Sequence, residues 1–166
     1  HKNQKLEKIM EAIFENPEKS LTIREISKNS RIPKSTVQRY ISYLRKSKII
    51  DKNNRLIINN YTKFLKSTHL ISKLFESGII DYLEITLVPS SIVVFGSARK
   101  GEYVKDSDID IFIETTKKIQ LNISKFEKKI KHKLQLFIES DINKLPKELF
   151  NNVINGIKLS GYIKIK

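Results

Sequence analysis

The stretch VVFGSARKGEYVKDSDIDIFIE, residues 93–114, joins an apolar run, a Gly-Ser turn and three closely spaced aspartates. Its apolar start predicts a buried strand that ends in a tight turn, and residues 108–114 predict a second strand. Because side chains alternate along a strand, Asp108 and Asp110 share one face, and the isoleucines that follow them share the buried face. The chain carries a formal net charge of +14. Carboxylates crowded together in such a chain predict that a positive ligand binds there.

The chemistry of these residue types indicates a site for a metal–triphosphate. Hard divalent cations such as Mg²⁺ relieve the repulsion between two carboxylates, and they commonly take one or two carboxylates together with substrate phosphates. A glycine and a serine directly after a strand, here Gly96 and Ser97, let backbone N–H groups and a hydroxyl approach a phosphate closely. Asp106 lies outside the alternating pair, and we interpret it as a loop residue and not as a ligand.

The second half of the chain predicts an α/β (α+β) fold, with a mixed sheet flanked by helices. Helical periodicity, apolar runs and a capping box formed by Ser124 and Glu127 define the segments. The elements predicted around the two strands are helices over 61–77, 79–87, 123–134 and 146–156, with Gly78 between the first two, and extended segments over 134–139 and 157–165.

The motif FGSARKGEYVKDSDIDIFIE, residues 95–114, has Gly-Ser, ten residues and then Asp-x-Asp, and it resembles the motif of polymerase-β-type nucleotidyltransferases. It looks especially like the minimal nucleotidyltransferases of archaea and bacteria, which include antitoxins that pair with small helical ribonuclease toxins. The resemblance covers about residues 65–164. It implies an enzyme that transfers an NMP from an NTP, with ATP as the expected donor, to a protein or nucleic-acid hydroxyl. The implied site consists of the catalytic, Mg²⁺-binding pair Asp108 and Asp110, and of Gly96, Ser97 and Lys100 on the nucleotide.

The sequence departs from this family at one position. Members normally carry a third carboxylate on the next core strand, and the matching residue here is Gln135, which is neutral. Glu139 shares the strand face with Gln135 but lies about 13 Å along the strand. An alternative function therefore stays open, in which the chain is a DNA-binding transcriptional regulator or an antitoxin. Its transferase domain would then bind a nucleotide or a partner without turnover.

Residues 1–60 predict three helices and a short hairpin, the layout of a winged helix-turn-helix. A capping box of Thr22 and Glu25 begins the second helix. The stretch IREISKNSRIPKSTVQRYISYLRKSKII, residues 23–50, resembles the winged helix-turn-helix family. Archaeal members of the nucleotidyltransferase family are sometimes fused to such a domain. Arg31 stands where the turn often has glycine, so it adopts a left-handed conformation or the turn has another shape. The second domain is predicted over 61–166, with 61–77 as a connecting helix.

Basic residues cluster in the predicted winged helix. Between residues 28 and 55 there are nine lysines and arginines and one acid, which favours binding to DNA phosphates over an even surface charge. A purely architectural winged helix, used for protein contacts, is the alternative. The predicted DNA-binding residues are Lys34, Ser35, Thr36, Gln38, Arg39, Arg45 and Arg55.

The composition sets the remaining expectations. The chain has no cysteine and no apolar run long enough for a membrane span, and we expect a cytoplasmic protein without a membrane partner. Segment 61–76 is a candidate surface for a homodimer, and a toxin-like or other acceptor protein is a candidate partner. His69 and His132 are expected to be surface or partly packed residues. The lysines 128, 129, 131 and 133 are expected to form a solvated helix face, with nucleic-acid contact as the alternative.

Overall fold

The computed structural model describes residues 2–166, so the first residue of the predicted domain 1–60 lies outside it. The chain divides into two compact units between His69 and Leu70. This division lies inside helix α4 (Asn60–Ser77), whose first residue coincides with the predicted boundary. Within the described residues, no helix combines the length and hydropathy that crossing a bilayer requires.

The amino-terminal unit is built on three helices, α1 (Lys2–Phe14), α2 (Ile23–Ser30) and α3 (Lys34–Lys46). Each helix has apolar residues at helical spacing, and these faces meet in one core. Ile26 of α2 and Val37 and Ile41 of α3 are buried in this core. Burial of these side chains is the main force that holds such short helices, because an isolated helix of this length is marginal in water.

The turn between α2 and α3 contains a left-handed residue at Arg31, which is one of the two conformations that the sequence allowed for it. Arg31 adopts φ 57° and ψ 34°. The Ser27 hydroxyl donates to the Ile32 carbonyl at 2.6 Å, which ties α2 to the far side of the turn. The capping box is confirmed: the Glu25 N–H donates to the Thr22 hydroxyl oxygen at 3.1 Å, and the Thr22 N–H donates to the Glu25 carboxylate at 2.7 Å.

The predicted hairpin after α3 is shorter than a pair of regular strands. It consists of one antiparallel bridge between Ile50 and Leu56. The Asp51 carboxylate accepts from the N–H groups of Asn53 and Arg55. Asn54, with φ 61°, donates from its side chain to the Leu21 carbonyl at 2.8 Å. Side-chain hydrogen bonds therefore hold this turn in place of a longer ladder.

The carboxy-terminal unit is a four-stranded mixed sheet flanked by helices, as predicted. The strands β1 (Ser91–Phe95), β2 (Ile109–Glu114), β3 (Leu134–Glu139) and β4 (Ile157–Gly161) lie in the order β3-β2-β1-β4. β1 is antiparallel to β2 and to β4, whereas β2 and β3 are parallel. The helices are α5 (Ile79–Leu87), α6 (Gly96–Lys100), α7 (Ser124–Ile130) and α8 (Lys147–Ile154), with a short 3₁₀ helix over Ile142–Lys144.

Alternation along β2 separates the two faces of the sheet. Ile109, Ile111 and Ile113 face a core that includes residues of α4, α5 and α7. Phe112 faces a second core with Ile142 and with residues of α8. Asp110 is two residues before Phe112 on the same strand, so its side chain lies on this second face.

Three details of the sequence interpretation are wrong. A short helix, α6, begins directly at the left-handed Gly96, where only a tight turn was expected. The expected capping box at Ser124 is not formed, because the Glu127 carboxylate accepts from the Leu134 N–H at 2.9 Å, and α7 ends at Ile130. The helical spacing of apolar residues in segment 61–77 predicts that Phe64 and Phe75 pack on the buried face of α4, but both are exposed.

Candidate active site

Asp110 lies near the start of the central strand β2. Its cross-strand neighbours are Phe95, the last residue of β1, and Gln135 on β3. The rings of Phe95 and Phe137 pack at 5.3 Å between centroids on the same face of the sheet. The carboxylate of Asp110 therefore stands beside an apolar pair at the sheet end where β1 stops.

Gly96 brings the chain after β1 against this carboxylate. The residue has φ +67°, and a Cβ at this position would overlap a carboxylate oxygen of Asp110. The left-handed backbone favours glycine, and any added side chain would displace the Asp110 carboxylate. Ser97 follows in the first turn of α6, and Lys100 ends that helix with an exposed side chain.

The loop between α6 and β2 is closed by its own hydrogen bonds and presents Asp108. The Val104 N–H donates to the Ser107 hydroxyl, and the Ser107 N–H donates to the Val104 carbonyl, both at 2.9 Å. The Ser107 carbonyl also lies 2.7 Å from Nδ1 of His132. Asp108 is thus held between this closed turn and the first residue of β2, and Asp106 lies within the turn.

The two aspartates influence each other electrostatically. Burial, and to a smaller degree the nearby charge of Asp108, raise the pKa of Asp110 above its ordinary value. Both causes disfavour the ionised carboxylate, and a bound cation would oppose both. Two neighbouring carboxylate groups are a donor set that suits a hard divalent cation.

In the part of the chain that the structure describes, a neutral residue lies in register with Asp110 on β3. Among residues 4–166, whose side chains the structure describes, no three His, Cys, Asp or Glu side chains come together as a possible metal cluster. Gln135 is the residue in register with Asp110 on β3. Glu139 pairs with Glu114 at the opposite end of that strand, and its carboxylate accepts from the Ser140 N–H at 2.6 Å.

A family model of the nucleotidyltransferase domain matches residues 77–159, a range that contains Gly96, Asp108 and Asp110. The chain belongs to this nucleotidyltransferase domain family. Searches of curated proteins and of solved structures found no match. The predicted resemblance is confirmed for the nucleotidyltransferase part, and domains of this kind generally use an NTP and a divalent metal. The archaeal origin, the winged-helix fusion, the DNA, the protein partner and the homodimer stay predictions.

The nucleotidyltransferase domain also has a cleft that the sequence did not predict. It has a volume of about 320 Å³ and adjoins Asp108. His132 lines it and is buried, with its ring edge-on to Tyr103 at 5.7 Å, so it is more fully packed than the surface or partly packed residue that was expected. The lining residues are Lys105, Asp106, Ser107, Asp108, Ser124, Glu127, Lys128, Lys131, His132 and Lys133. Only the spacing of lysines around α7 hinted at it.

In the amino-terminal unit, the residues predicted to contact DNA are exposed on α3 and at the hairpin, except Thr36, which is half-buried. The first turn of α3 follows Pro33 and has no side-chain cap. Arg45 differs from the others, because its guanidinium donates to the Asn54 side chain at 2.5 Å and so braces the hairpin.

Proposed function

We propose that the nucleotidyltransferase domain transfers an NMP from a Mg²⁺-bound NTP, with ATP as the donor, to a hydroxyl group on a protein or a nucleic acid. The observation that carries this proposal is the packing of Gly96 against the carboxylate of Asp110, next to Asp108. It joins a close-approach turn, which suits a phosphate, to a pair of carboxylates, which suits a cation.

In the proposed reaction, the acceptor oxygen forms a bond to the α-phosphorus of the NTP. The bond between that phosphorus and the bridging oxygen of the β-phosphate breaks, and pyrophosphate leaves with its electron pair. The proton of the acceptor hydroxyl passes to water, because Gln135 cannot accept it. Mg²⁺, held by Asp108 and Asp110, would neutralise charge on the phosphates.

The chain's own contribution is to position the donor. The backbone of Gly96 and the hydroxyl of Ser97 would contact the triphosphate, and the ammonium group of Lys100 would balance its charge. The hydrogen-bonded turn over 104–107 would keep Asp108 in place before the ligand arrives. Such preorganisation reduces the cost of ordering these groups during the reaction.

The test is transfer of label from each α-labelled NTP, with Mg²⁺, in the absence and presence of cell extract. We expect the wild-type protein to label a macromolecule, and Asp108→Asn/Asp110→Asn to lose about 100-fold or more of that labelling. Asp106→Asn is the matched control, because it removes a neighbouring acid that we place outside the metal pair, and it should retain transfer. Equal labelling by all three proteins would refute the proposal.

A second candidate function rests on Gln135. Its register opposite Asp110 puts a neutral side chain where the resemblance implies an acid. In this alternative, the domain binds a nucleotide or a partner without turnover, and the chain acts as a DNA-binding regulator or an antitoxin. Nucleotide binding that depends on both aspartates, together with no transfer to any acceptor, would favour it.

For the amino-terminal unit, we propose a winged helix that binds DNA through α3 and the hairpin. The support is the exposed basic surface of α3 and the uncapped first turn, which can donate N–H groups to a phosphate. We expect Lys34→Ala/Arg39→Ala to weaken binding to double-stranded DNA and to lower the salt slope by about 2. Lys5→Ala/Lys8→Ala on α1 is the control with the same charge change. Equal binding by both variants would favour the architectural alternative.

A further inference from the structure

The strand β3 forms one edge of the sheet, and its sequence does little to prevent pairing with a further strand. Edge strands are usually protected by lysines, prolines or bulges, because their free backbone groups attract other strands. The opposite edge, β4, has such protection: Lys158 is exposed, and a register shift interrupts the pairing of β4 with β1. In contrast, residues 134–138 of β3 include no charged residue and no proline, and Ile138 is 43% exposed.

The hydrogen bonds of the parallel ladder show which backbone groups of β3 face outward. The carbonyls of Lys133 and Glu139 accept from the N–H groups of Ile109 and Thr115, both at 2.9 Å. Because the direction of these groups alternates along a strand, the odd-numbered residues of β3 point towards β2. The backbone groups of the even-numbered residues, 134, 136 and 138, therefore point to the open edge.

Side chains cover the two ends of this edge and leave its middle open. The outward N–H of Leu134 donates to the Glu127 carboxylate at 2.9 Å. At the other end, the Ser140 N–H donates to the carboxylate of the residue before it at 2.6 Å. The N–H and C=O groups of Leu136 and Ile138 lie between these two ends and are available to a partner strand.

An antiparallel second copy of β3 fits this pattern of open groups. With Phe137 on a two-fold axis, Leu136 of each copy lies opposite Ile138 of the other. The open N–H and C=O groups of both copies then pair with each other, and the covered ends stay as they are. Phe137 meets its own copy in a non-hydrogen-bonded pair, in which side chains approach most closely.

The charges that flank the open edge also favour a second copy in this orientation. Segment 133–141 has a lysine at its start, Lys133, and two acids at its end, Glu139 and Asp141. In the antiparallel register, Lys133 lies opposite Asp141 of the partner subunit, and the side chain of Lys133 is 78% exposed. Two chains of net charge +14 repel each other overall, so a contact that pairs ends of opposite charge is the one that opposes this repulsion.

We propose that β3 is the surface through which two copies of this chain form a dimer, in which the two sheets join edge to edge. The inference goes beyond the proposed function and does not depend on nucleotide transfer. Phe137, at the centre of the interface, also packs against Phe95, the cross-strand neighbour of Asp110. Pairing of strands this short buries less surface than a permanent dimer does, so we expect a dissociation constant on the order of 10 µM.

Sedimentation velocity of the full chain, at concentrations from about 1 µM to about 1 mM, measures this association. Ile138→Lys places a charge against the partner strand. Ile85→Lys is the matched control, because it makes the same substitution on α5 at a residue that is 80% exposed. We expect Ile138→Lys to dimerise about tenfold or more weakly and Ile85→Lys to dimerise within about twofold of wild type.

A cysteine cross-link tests the register separately. The chain has no cysteine, so Phe137→Cys supplies one thiol from each copy at the two-fold axis. The Cα atoms of a non-hydrogen-bonded antiparallel pair lie about 4.5 Å apart, within the range that a disulfide spans. We expect mild oxidation to link Phe137→Cys into dimers and to leave Ile85→Cys monomeric.

Several results would overturn the inference. One is a protein that stays monomeric at every concentration, and another is a dimer that Ile138→Lys and Ile85→Lys weaken equally. A dimer that Phe64→Lys disrupts and Ile138→Lys leaves intact would assign the contact to segment 61–76 and not to β3. Equal cross-linking of the two cysteine variants would refute the proposed register.

Discussion

Two of the turns that contain a left-handed residue, the one after β1 and the one after α2, differ in what requires that conformation. After β1 the residue is Gly96, where a side chain would collide with the carboxylate of Asp110. After α2 the residue is Arg31, which has φ 57° and an exposed side chain. Arg31 accepts the conformational cost of a left-handed residue, about 1–2 kcal/mol, without a neighbour that forbids a side chain.

The comparison shows that glycine at the proposed site serves the carboxylate beside it. A left-handed backbone alone tolerates arginine in this chain, so backbone geometry does not by itself explain Gly96. The space that the Asp110 carboxylate occupies explains why residue 96 is glycine. Positions that a functional group constrains can therefore be separated from positions that only the backbone constrains, and substitutions should reveal the difference.

The largest effect is expected for Gly96→Ala. The added methyl group combines left-handed strain with overlap of the Asp110 carboxylate, and it should lower the free energy of unfolding by about 2 kcal/mol or more. It should also abolish ATP binding, because the carboxylate or the turn must move. Urea denaturation and calorimetric titration with Mg²⁺ and ATP would measure the two effects.

Gly78→Ala is the matched control for that substitution. Gly78 is also left-handed, with φ +85°, but an added Cβ would meet only a carbon of Phe126 at 3.8 Å. We expect a loss of about 1–2 kcal/mol from strain alone and ATP binding like that of wild type. If the two alanine variants lose stability and ATP binding equally, the comparison between the two kinds of turn is wrong.

Gln135→Asp tests whether the neutral side chain in register with Asp110 limits transfer. A carboxylate in register with Asp110 would add a metal ligand or a proton acceptor, and we predict that transfer rises about tenfold or more. Gln135→Asn keeps a neutral amide and should leave the rate unchanged. Steady-state rates with Mg²⁺ and the identified acceptor would decide the matter, and a rate that falls in the aspartate variant would contradict this interpretation.

Arg31→Gly should stabilise the amino-terminal unit. Glycine removes the strain of a left-handed residue, but it also increases the conformational entropy of the unfolded chain, which opposes part of that effect. The net increase in the free energy of unfolding should be about 0.5–1 kcal/mol. The urea midpoint should rise accordingly, with DNA affinity within about twofold of wild type. A destabilised protein would show that the Arg31 side chain makes a contact that outweighs the strain.

The smallest effect concerns the turn that Asp141 caps through hydrogen bonds with Asn143. The Asn143 side chain and N–H, followed by Lys166, lower the pKa of Asp141 from 3.8 to about 2. Because folding lowers this pKa, the ionised carboxylate stabilises the fold at any pH above 3.8, the ordinary pKa of the group. That stabilisation is lost as the pH falls from there through about 2. We predict that Asp141→Asn lowers Tm slightly at neutral pH and has a clearly smaller effect near pH 2, where the native carboxylate is about half protonated. An equal Tm difference at both pH values would contradict the assignment.

The sequence predicted the elements that rest on local patterns. The alternation of Asp108 and Asp110 with isoleucines placed β2, and the Thr22–Glu25 pair placed the start of α2, because each pattern has one structural solution. The third strand and its Gln135 followed from an apolar run. The sheet class followed from the order of these elements and from the resemblance.

The features that the sequence did not predict depend on contacts between distant segments. Glu127 fits the pattern of a capping residue, but its carboxylate accepts from the Leu134 N–H, which lies beyond the end of its own helix. His132 is buried because a turn more than twenty residues earlier supplies a carbonyl to its ring. The cleft beside Asp108 arises from the same long-range pairing, and no local pattern encodes it.

The central claim is that Asp108 and Asp110 hold a Mg²⁺-bound nucleotide next to the Gly96 turn. Calorimetric titration of ATP into the full chain, with and without Mg²⁺, tests it most directly, using Asp108→Asn/Asp110→Asn and the Asp106→Asn control. The account predicts Mg²⁺-dependent binding by wild type and by Asp106→Asn, and about tenfold or weaker binding by the double variant. ATP binding of equal strength in all three proteins, or binding that is indifferent to Mg²⁺, would contradict it.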